Sequence, residues 1–505
     1  MSTTADPRPA SLPLVDAARL GMALDNSYAN DLTGLHAPWN PSPAPKPGWL
    51  ALNTELAQLL GLNAEALAGA EGLAVLSGQA LPTGAEPIAQ AYAGHQFGHF
   101  SPQLGDGRAL LLGEVIDTQG QRRDIAFKGS GRTPFSRGGD GKAAVGPVLR
   151  EYLMGEAMQA LGIPTTRALA AIATGEQVFR ERPLPGALLV RVAASHLRVG
   201  TFQFFAARQD LEKLRRLADY TIARHDPDLA GQPNPYLGLL RRVAERQAAL
   251  IAQWMGVGFI HGVMNTDNMS ISGETIDYGP CAFLDTYHPL KKFSSIDQRG
   301  RYAFARQGEI GHWNLTRLAE TLIPLIDEDQ EKAISLAETA LESFPDIHHH
   351  TLQQTLTAKI GLEGYASHDW PLVTAQLDAM SEGEADFTLV FRHLPNALET
   401  GHDGPVVRLF NHPEAITSWL GDWRARLQHL DKDDVLALMR RSNPIFIPRN
   451  HRIEEAIQAA YRGDYSPFHR LVDVLKHPFT EQPDFAEYEA APTPAEVVQA
   501  TFCGT

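Results

Sequence analysis

Four acid or amide side chains crowd one short stretch of this chain. In HGVMNTDNMSISGETIDYG, residues 261–279, stand Asn265, Asp267 and Asn268, then a turn at Gly273, then Asp277 followed by Tyr278 and Gly279. Carboxylate and amide oxygens are hard ligands, suited to Mg²⁺ or Mn²⁺ that also holds phosphate. Two polar turns would not require an adjacent Asp-Asn followed by Asp-Tyr-Gly, so a hairpin is expected to return Asp277 to Asp267 at one end of a cleft. Two other groups suit a polyphosphate. LGDGRALLLGEV, residues 104–115, sets Gly105 and Gly107 around Asp106, with Arg108 next, ahead of a strand. Close glycines let backbone N–H groups approach phosphate oxygens, although a tight turn would use the same residues. Lys128 ends the strand DIAFK, and Glu151 lies early on the following helix. Alone, they read as a solvated strand end and an acid favouring the helix dipole. Paired, they aim an ammonium.

The elements that must position these groups follow from pattern. ALLLGEVI, the turn DTQGQ and RRDIAFKG read as a β-hairpin. GSGRTPFSRGGDGKAAVG is a loop by composition. Pro147 then opens a helix, VLREYLMGEAMQALG, stopped by Gly162 and Pro164. ALAAIAT and GALLVRVAA are further strands, Tyr236 to Met255 is a long amphipathic helix, and the chain beyond Trp313 is mainly helical. Prolines at 38, 41, 43, 45 and 47 set off an N-terminal arm, and helices broken at Gly61 are expected from Leu50 to Ala70. This order predicts an α+β enzyme of two lobes with a cleft between them. The expected division is an arm with helices over 1–80, a β-rich nucleotide-binding lobe with one braced helix over 81–200, and a mainly helical lobe with the catalytic loop over 201–505.

Composition narrows the partners. The 505 residues carry a formal net charge of −15, which argues against broad nucleic-acid or anionic-membrane binding because a phosphate backbone demands a basic footprint. A local basic pocket for one small anion stays open. Cys281 and Cys503 are the two cysteines, too few for a disulfide framework or a Cys-rich zinc module, and consistent with a reducing compartment. No stretch approaches the ~18 apolar residues of a membrane span. The N-terminus lacks the basic and apolar regions of a leader, so a cytoplasmic location is expected.

A Gly-rich turn, a strand lysine, a helix glutamate, an Asp-Asn loop and Asp-Tyr-Gly follow the order of a protein-kinase-like fold. More narrowly, YAGHQFGHFSPQLGDGRA, FKGSGRTPFSRGGDGKAAVGPVLREYLMGEAM and HGVMNTDNMSISGETIDYGPCAFLD resemble the selenoprotein O family of protein adenylyltransferases, over about residues 90 to 300. The resemblance implies a kinase-like cleft in which ATP sits flipped, so that AMP passes to a protein hydroxyl on Ser, Thr or Tyr. It assigns nucleotide contacts to Gly105, Gly107, Arg108, Lys128, Asp140, Gly141, Arg191 and Arg198, with Glu151 bracing Lys128. It makes Asp267 the catalytic base, Asn268 a metal ligand, and Asp277 a ligand that also faces ATP. The metal would be Mg²⁺ or Mn²⁺. Without the resemblance, Arg191 and Arg198 would read as surface residues flanking a strand.

Departures keep other readings open. A kinase catalytic loop places its metal-binding Asn five residues after the base. Counted back from Asn268, that position is Val263, which cannot accept a proton. A phosphotransferase with ATP in the usual orientation, a UMP transferase, and a pseudokinase that only binds nucleotide are therefore the alternatives. His95-Gln96-Phe97-Gly98-His99 has a zinc-peptidase spacing but lacks the glutamate base. His348, His349 and His350 read as a solvated turn. The resemblance also suggests a redox role for Cys503, conceivably by pairing with Cys281, although an inert thiol at each position fits equally.

Overall fold

The structure is a computed structural model that describes residues 12–364, 366–499 and 501. Its main sheet has eight strands: His36–Pro38 (β1), Gly48–Leu52 (β2), Ile88–Gln90 (β3), Ala109–Ile116 (β4), Arg122–Lys128 (β5), Ala143–Ala144 (β6), Arg167–Phe179 (β7) and Pro183–Ala193 (β8). The order is β1-β3-β4-β5-β8-β7-β2, with β6 paired to β8, and the pairing is antiparallel throughout. The expected hairpin is β4-β5, and the two later strand predictions are β7 and β8. β1 and β2 were not anticipated. They come from stretches bordering the prolines, and Pro38 ends the edge strand β1, where a missing N–H breaks no interior ladder.

Both faces of this sheet are covered, by the two-residue alternation of strand side chains. Leu110, Leu112, Ile125, Phe127, Leu188 and Val190 pack with Leu56, Leu67, Val75 and Leu76. Those last four lie on Thr54–Leu59 (α1), Ala64–Ala68 (α2) and Ala70–Leu76 (α3). On the opposite face Leu111, Ala126 and Leu189 share a core with Val148, Leu149 and Leu153 of Val145–Ala160 (α4). α4 is buried on most of its circumference because Asn450–Tyr461 and Ser466–Leu475 lie against it, with the Tyr152 and Phe468 rings 5.6 Å apart. Gly162, at φ +78°, ends it in the left-handed region that glycine tolerates.

The rest is mainly helical, beginning with Val199–Ala206 (α5), Leu211–His225 (α6), Pro235–Gly256 (α7) and Gln307–Ile326 (α8). A separate core around Phe387, Phe391, Trp419 and Trp423 holds the helices from Trp370–Glu382 to Lys432–Ser442. Two expectations are corrected. His348, His349 and His350 lie within the helix Ser343–Lys359, not in a turn; Pro345 sits in its first turn, where a missing N–H is harmless, and His348 stacks on Phe344. Residues 269–277 form no hairpin with one another. Their backbone bonds run outward, from Ile271 N–H to the Leu197 carbonyl and from Thr275 N–H to the Pro164 carbonyl. No helix among the described residues is long and apolar enough to cross a membrane.

Candidate active site

Strand register sets the first pair of cations. Lys128 on β5 stands opposite Leu189 of β8, and Ala126 opposite Arg191. Lys128 and Arg191 therefore project from the same face as diagonal neighbours. α4 crosses that face and delivers Glu151, whose Oε2 accepts from Lys128 Nζ at 2.6 Å and whose Oε1 accepts from Arg191 Nη1 at 3.1 Å. The brace expected between Lys128 and Glu151 is present, and Arg191 joins it.

Asp277 is the hub. Its Oδ1 accepts from Lys128 Nζ at 2.6 Å and from Arg191 Nη1 at 2.7 Å, and its Oδ2 accepts from Arg198 Nη1 at 2.5 Å. Arg198, at the start of α5, also donates to the Asp267 carbonyl at 2.5 Å and lies 4.9 Å over the Tyr92 ring. Arg191 and Arg198 are each only 2% exposed, so the surface reading of a strand-flanking arginine fails for both. Burial pushes the Asp277 carboxyl up, but Lys128, Arg198 and Arg191 overcome it and hold the group well below the usual carboxylate range. The Asp277 backbone sits at φ +63°, a left-handed conformation uncommon outside glycine that aspartate tolerates better than most.

Asp267 has the opposite environment. It lies in the one-turn 3₁₀ segment Thr266–Asn268, which the short hairpin of Gly94–Gln96 and His99–Ser101 pins in place. His95 N–H donates to Thr266 Oγ1 at 2.7 Å, Phe97 N–H to Asn265 Oδ1 at 3.0 Å, and Gln96 Nε2 to Asp267 Oδ2 at 3.2 Å. Gly94 is required by this approach, since a Cβ there would stand 2.6 Å from Asp267 Oδ1. That oxygen is buried without a hydrogen-bond partner. Burial raises the Asp267 carboxyl to about 6, against the pull of Arg198 and Gln96. Asn268 donates its amide nitrogen to the Val263 carbonyl at 3.0 Å, which leaves its amide oxygen as the atom for a cation.

Lys128, Glu151, Arg191, Arg198, Asp267, Asn268 and Asp277 line one cavity of about 350 Å³, together with Gly107 and Arg108. Gly105, Asp140 and Gly141 line an adjoining cavity of about 430 Å³, which shares Tyr92, Gly107, Arg108 and Arg137 with the first. Asp140 accepts from Arg180 at 2.8 Å and from the Lys142 N–H at 3.0 Å. Gly141 is at φ +68°, and a Cβ there would meet the Gly131 carbonyl at 2.1 Å. The predicted residues thus fall into two neighbouring compartments.

Asn268 and Asp277 supply hard oxygen donors on one wall, which fits a divalent cation chemically. Among the described residues no group of three or more His, Cys, Asp or Glu side chains could hold a metal by itself. A cation with only these two protein ligands needs further oxygens, as Mg²⁺ takes from substrate phosphates. His95 is committed elsewhere, with Nδ1 on Gln203 Nε2 at 2.8 Å and its ring against Phe100 and Trp313. Cys281 is buried, and Cys503 lies outside the described residues. Sequence reasoning missed Gln96 and Tyr92, which touch Asp267 and Arg198; both sit in the YAGHQFG motif, which was the available signal. Asn265, offered as part of the hard-ligand cluster, instead takes hydrogen bonds from Phe97 N–H and, at 2.7 Å, Tyr302 Oη–H.

Comparison with known proteins gives the family of the chain. The family described as "Protein adenylyltransferase SelO" matches residues 27–476. A Bradyrhizobium sp. (strain BTAi1) protein named "Protein nucleotidyltransferase YdiU" is 58% identical over 483 residues, covering 95% of this chain and 98% of that one. Proteins of the same name from Cereibacter sphaeroides (strain KD131) and Rhizobium meliloti (strain 1021) are 57% identical over 484 residues and 56% over 485, each covering 95% of this chain and 99% of the relative. A match of that length runs through the sheet, the braced lysine and the Asp267–Asp277 segment alike, and it makes this chain a member of the SelO family of nucleotidyltransferase enzymes.

Proposed function

We propose that the chain transfers AMP from ATP to Ser, Thr or Tyr hydroxyls of other proteins in the cytoplasm, releasing pyrophosphate. The convergence of Lys128, Arg191 and Arg198 on Asp277 carries this reading. Three cations at one end of a cleft suit the charge that builds on a departing pyrophosphate, a larger demand than a single transferred phosphoryl group makes there. We read the fold in the same way, as a kinase-like arrangement of two lobes: a β-rich one, whose sheet draws β1 and β2 from before residue 81 and its other strands from 81–200, and a mainly helical one from 201.

Each residue then has a part. Asp267, with its carboxyl raised to about 6, is ionised at neutral pH yet basic enough to take the acceptor hydroxyl's proton on its unpartnered Oδ1. The hydroxyl oxygen bonds to the α-phosphorus as the bond from that phosphorus to the bridging oxygen breaks. Lys128, Arg191 and Arg198 neutralise the pyrophosphate, and Glu151 keeps Lys128 and Arg191 aimed. Gly105, Gly107 and Arg108, with Asp140 and Gly141, line the space for the remainder of the nucleotide. Asn268 and Asp277 would hold Mg²⁺ or Mn²⁺, whose chemistry is to offset phosphate charge. Mass spectrometry of acceptor proteins incubated with the enzyme, ATP and either metal tests the reading. Adenylate increments on hydroxyl residues are expected. Phosphate increments would establish a phosphotransferase, and no increment despite ATP binding would establish a pseudokinase.

A further inference from the structure

The segment joining β8 to α5, Ala194 to Arg198, is held more firmly than a loop needs to be. Ala194 N–H donates to Glu274 at 2.9 Å, Ser195 Oγ meets His225 Nε2 at 2.8 Å, and the His196 N–H donates to Asp124 Oδ2 at 2.8 Å. His196 is 4% exposed, and its ring has two specific partners. Nδ1 lies 2.8 Å from Asp124 Oδ2, and Nε2 lies 3.1 Å from Arg191 Nε. A carboxylate only accepts and an arginine Nε–H only donates, so one tautomer satisfies both contacts. Nδ1 carries the proton and gives it to Asp124, and Nε2 offers its lone pair to Arg191. Asp124 is fixed in turn by Arg224, Nη2 to Oδ1 at 2.5 Å. Burial lowers the His196 imidazole to about 4, which keeps the ring neutral and able to accept.

We propose that His196, oriented by Asp124, is a positioning residue that fixes the rotation of the Arg191 guanidinium and thereby its grip on nucleotide phosphates. Arg191 donates from Nη1 to Glu151 and Asp277, while its Nε edge faces a neutral acceptor. A carboxylate at that edge would aim the group equally well but offset its charge. The imidazole aims it without adding a third carboxylate to Glu151 and Asp277, which Arg191 already meets. A planar guanidinium held at two edges presents its remaining N–H donors in one direction, as bidentate recognition of phosphate requires.

The inference rests on Arg191 as a phosphate-holding group, so ATP affinity is measured separately from AMP transfer. Calorimetric titration of the full chain with ATP and Mg²⁺ compares wild type, His196→Leu, His196→Gln, Arg191→Lys and the His196→Leu/Arg191→Lys double variant. His196→Leu should weaken ATP binding about tenfold or more. His196→Gln, which can donate to Asp124 and accept from Arg191, should stay within about threefold of wild type. With Arg191→Lys in place, His196→Leu should add less than about a twofold loss, the signature of one residue acting through the other. Equal affinity in His196→Leu and wild type, equal losses for Leu and Gln, or fully additive losses would overturn the proposal. Should His196→Leu not fold, nitrogen NMR of isotope-labelled histidine in the wild type decides. The Nδ1–H tautomer is expected, with an Nε2 resonance that moves in Arg191→Lys; an Nε2–H tautomer or an unmoved resonance overturns it. A wild-type chain that binds ATP but transfers no AMP would remove the adenylyl-transfer reading while the affinity comparison still decides His196. A wild type that binds no ATP overturns both.

Discussion

Asp267 is a buried carboxylate and Asp277 a partly buried one, and their surroundings push them in opposite directions. Asp267 has burial with little compensation, and Asp277 has three cations. A carboxyl whose folded pKa is raised binds its proton more tightly in the folded state, so it favours folding at low pH and loses that contribution as pH rises through the folded value. Asp267→Asn should therefore abolish AMP transfer yet raise the unfolding free energy at pH 7.5 by on the order of 1–3 kcal/mol, the difference fading below pH ~4 where both states of the wild type are protonated. Denaturant titrations at the two pH values check it; equal stability of variant and wild type at pH 7.5 would contradict it. Asp277 runs the other way: its stabilisation is present above the unfolded carboxylate value and is lost as pH falls toward the depressed folded one. Asp277→Ala removes the partner that Lys128 and the buried Arg191 and Arg198 share, so it should remove activity and also destabilise by roughly 3–5 kcal/mol, as when one partner of a buried ion pair is deleted. A fully active or fully stable Asp277→Ala protein would break the account of the hub. At this scale the gathering of Asp267, Asn268 and Asp277 into one cavity was legible from residue types and spacing, whereas Asn265, read with them, is taken up by Phe97 and Tyr302. Arg191 and Arg198 were legible only through family resemblance, because an arginine beside an apolar strand looks like an edge until its buried carboxylate partner is known. His196 had no signal: its role depends on Asp124, which is far away in sequence.

Elements aim these groups, and the clearest case is strand β5 against helix α4. Lys128 Nζ and Glu151 Oε2 are 2.6 Å apart, so their substitutions should not be independent. Lys128→Ala and Glu151→Ala should each weaken ATP binding and transfer by tenfold or more, and the double variant should lose little beyond the worse single one. Losses that multiply would show that the pair does not act as a unit. The β4-β5 hairpin and α4 were readable because local periodicity and turn residues specify them. The segment from Met269 to Asp277 was misread as a hairpin because its backbone partners, Leu197 and Pro164, are distant in sequence, and local alternation says nothing about them. β1 and β2 were missed for a related reason: proline punctuation masks short edge strands whose pairing is supplied by β3 and β7.

Across the whole molecule, the C-terminal helices are structural supports of the site. Arg150 on α4 donates to Asn450 Oδ1 at 3.0 Å, and Arg449 donates to Asp285 at 2.6 Å and Asp386 at 2.8 Å while only 1% exposed. Arg449 thus joins the start of the Asn450–Tyr461 helix to the chain after Asp277 and to the helical core around Phe387. Arg449→Ala strands two carboxylates and should lower stability by roughly 3–5 kcal/mol. ATP affinity, measured well below the melting transition, should be unchanged because Arg449 lines neither of the two cavities. A large affinity loss in a folded Arg449→Ala protein would contradict that separation. Pairings of this range are invisible to sequence patterning, which is why only the helical character of the C-terminal half was foreseen.

On the proposed reading, the cationic end of the cleft holds the leaving pyrophosphate. This is tested most directly by giving the enzyme ATP carrying its label on the α-phosphate in one reaction and on the γ-phosphate in another, with protein acceptors and Mg²⁺ or Mn²⁺ present. The α-label should appear on protein, the γ-label should not, and Asp267→Ala should erase the signal. Protein labelled from the γ-phosphate and not from the α-phosphate would contradict the account.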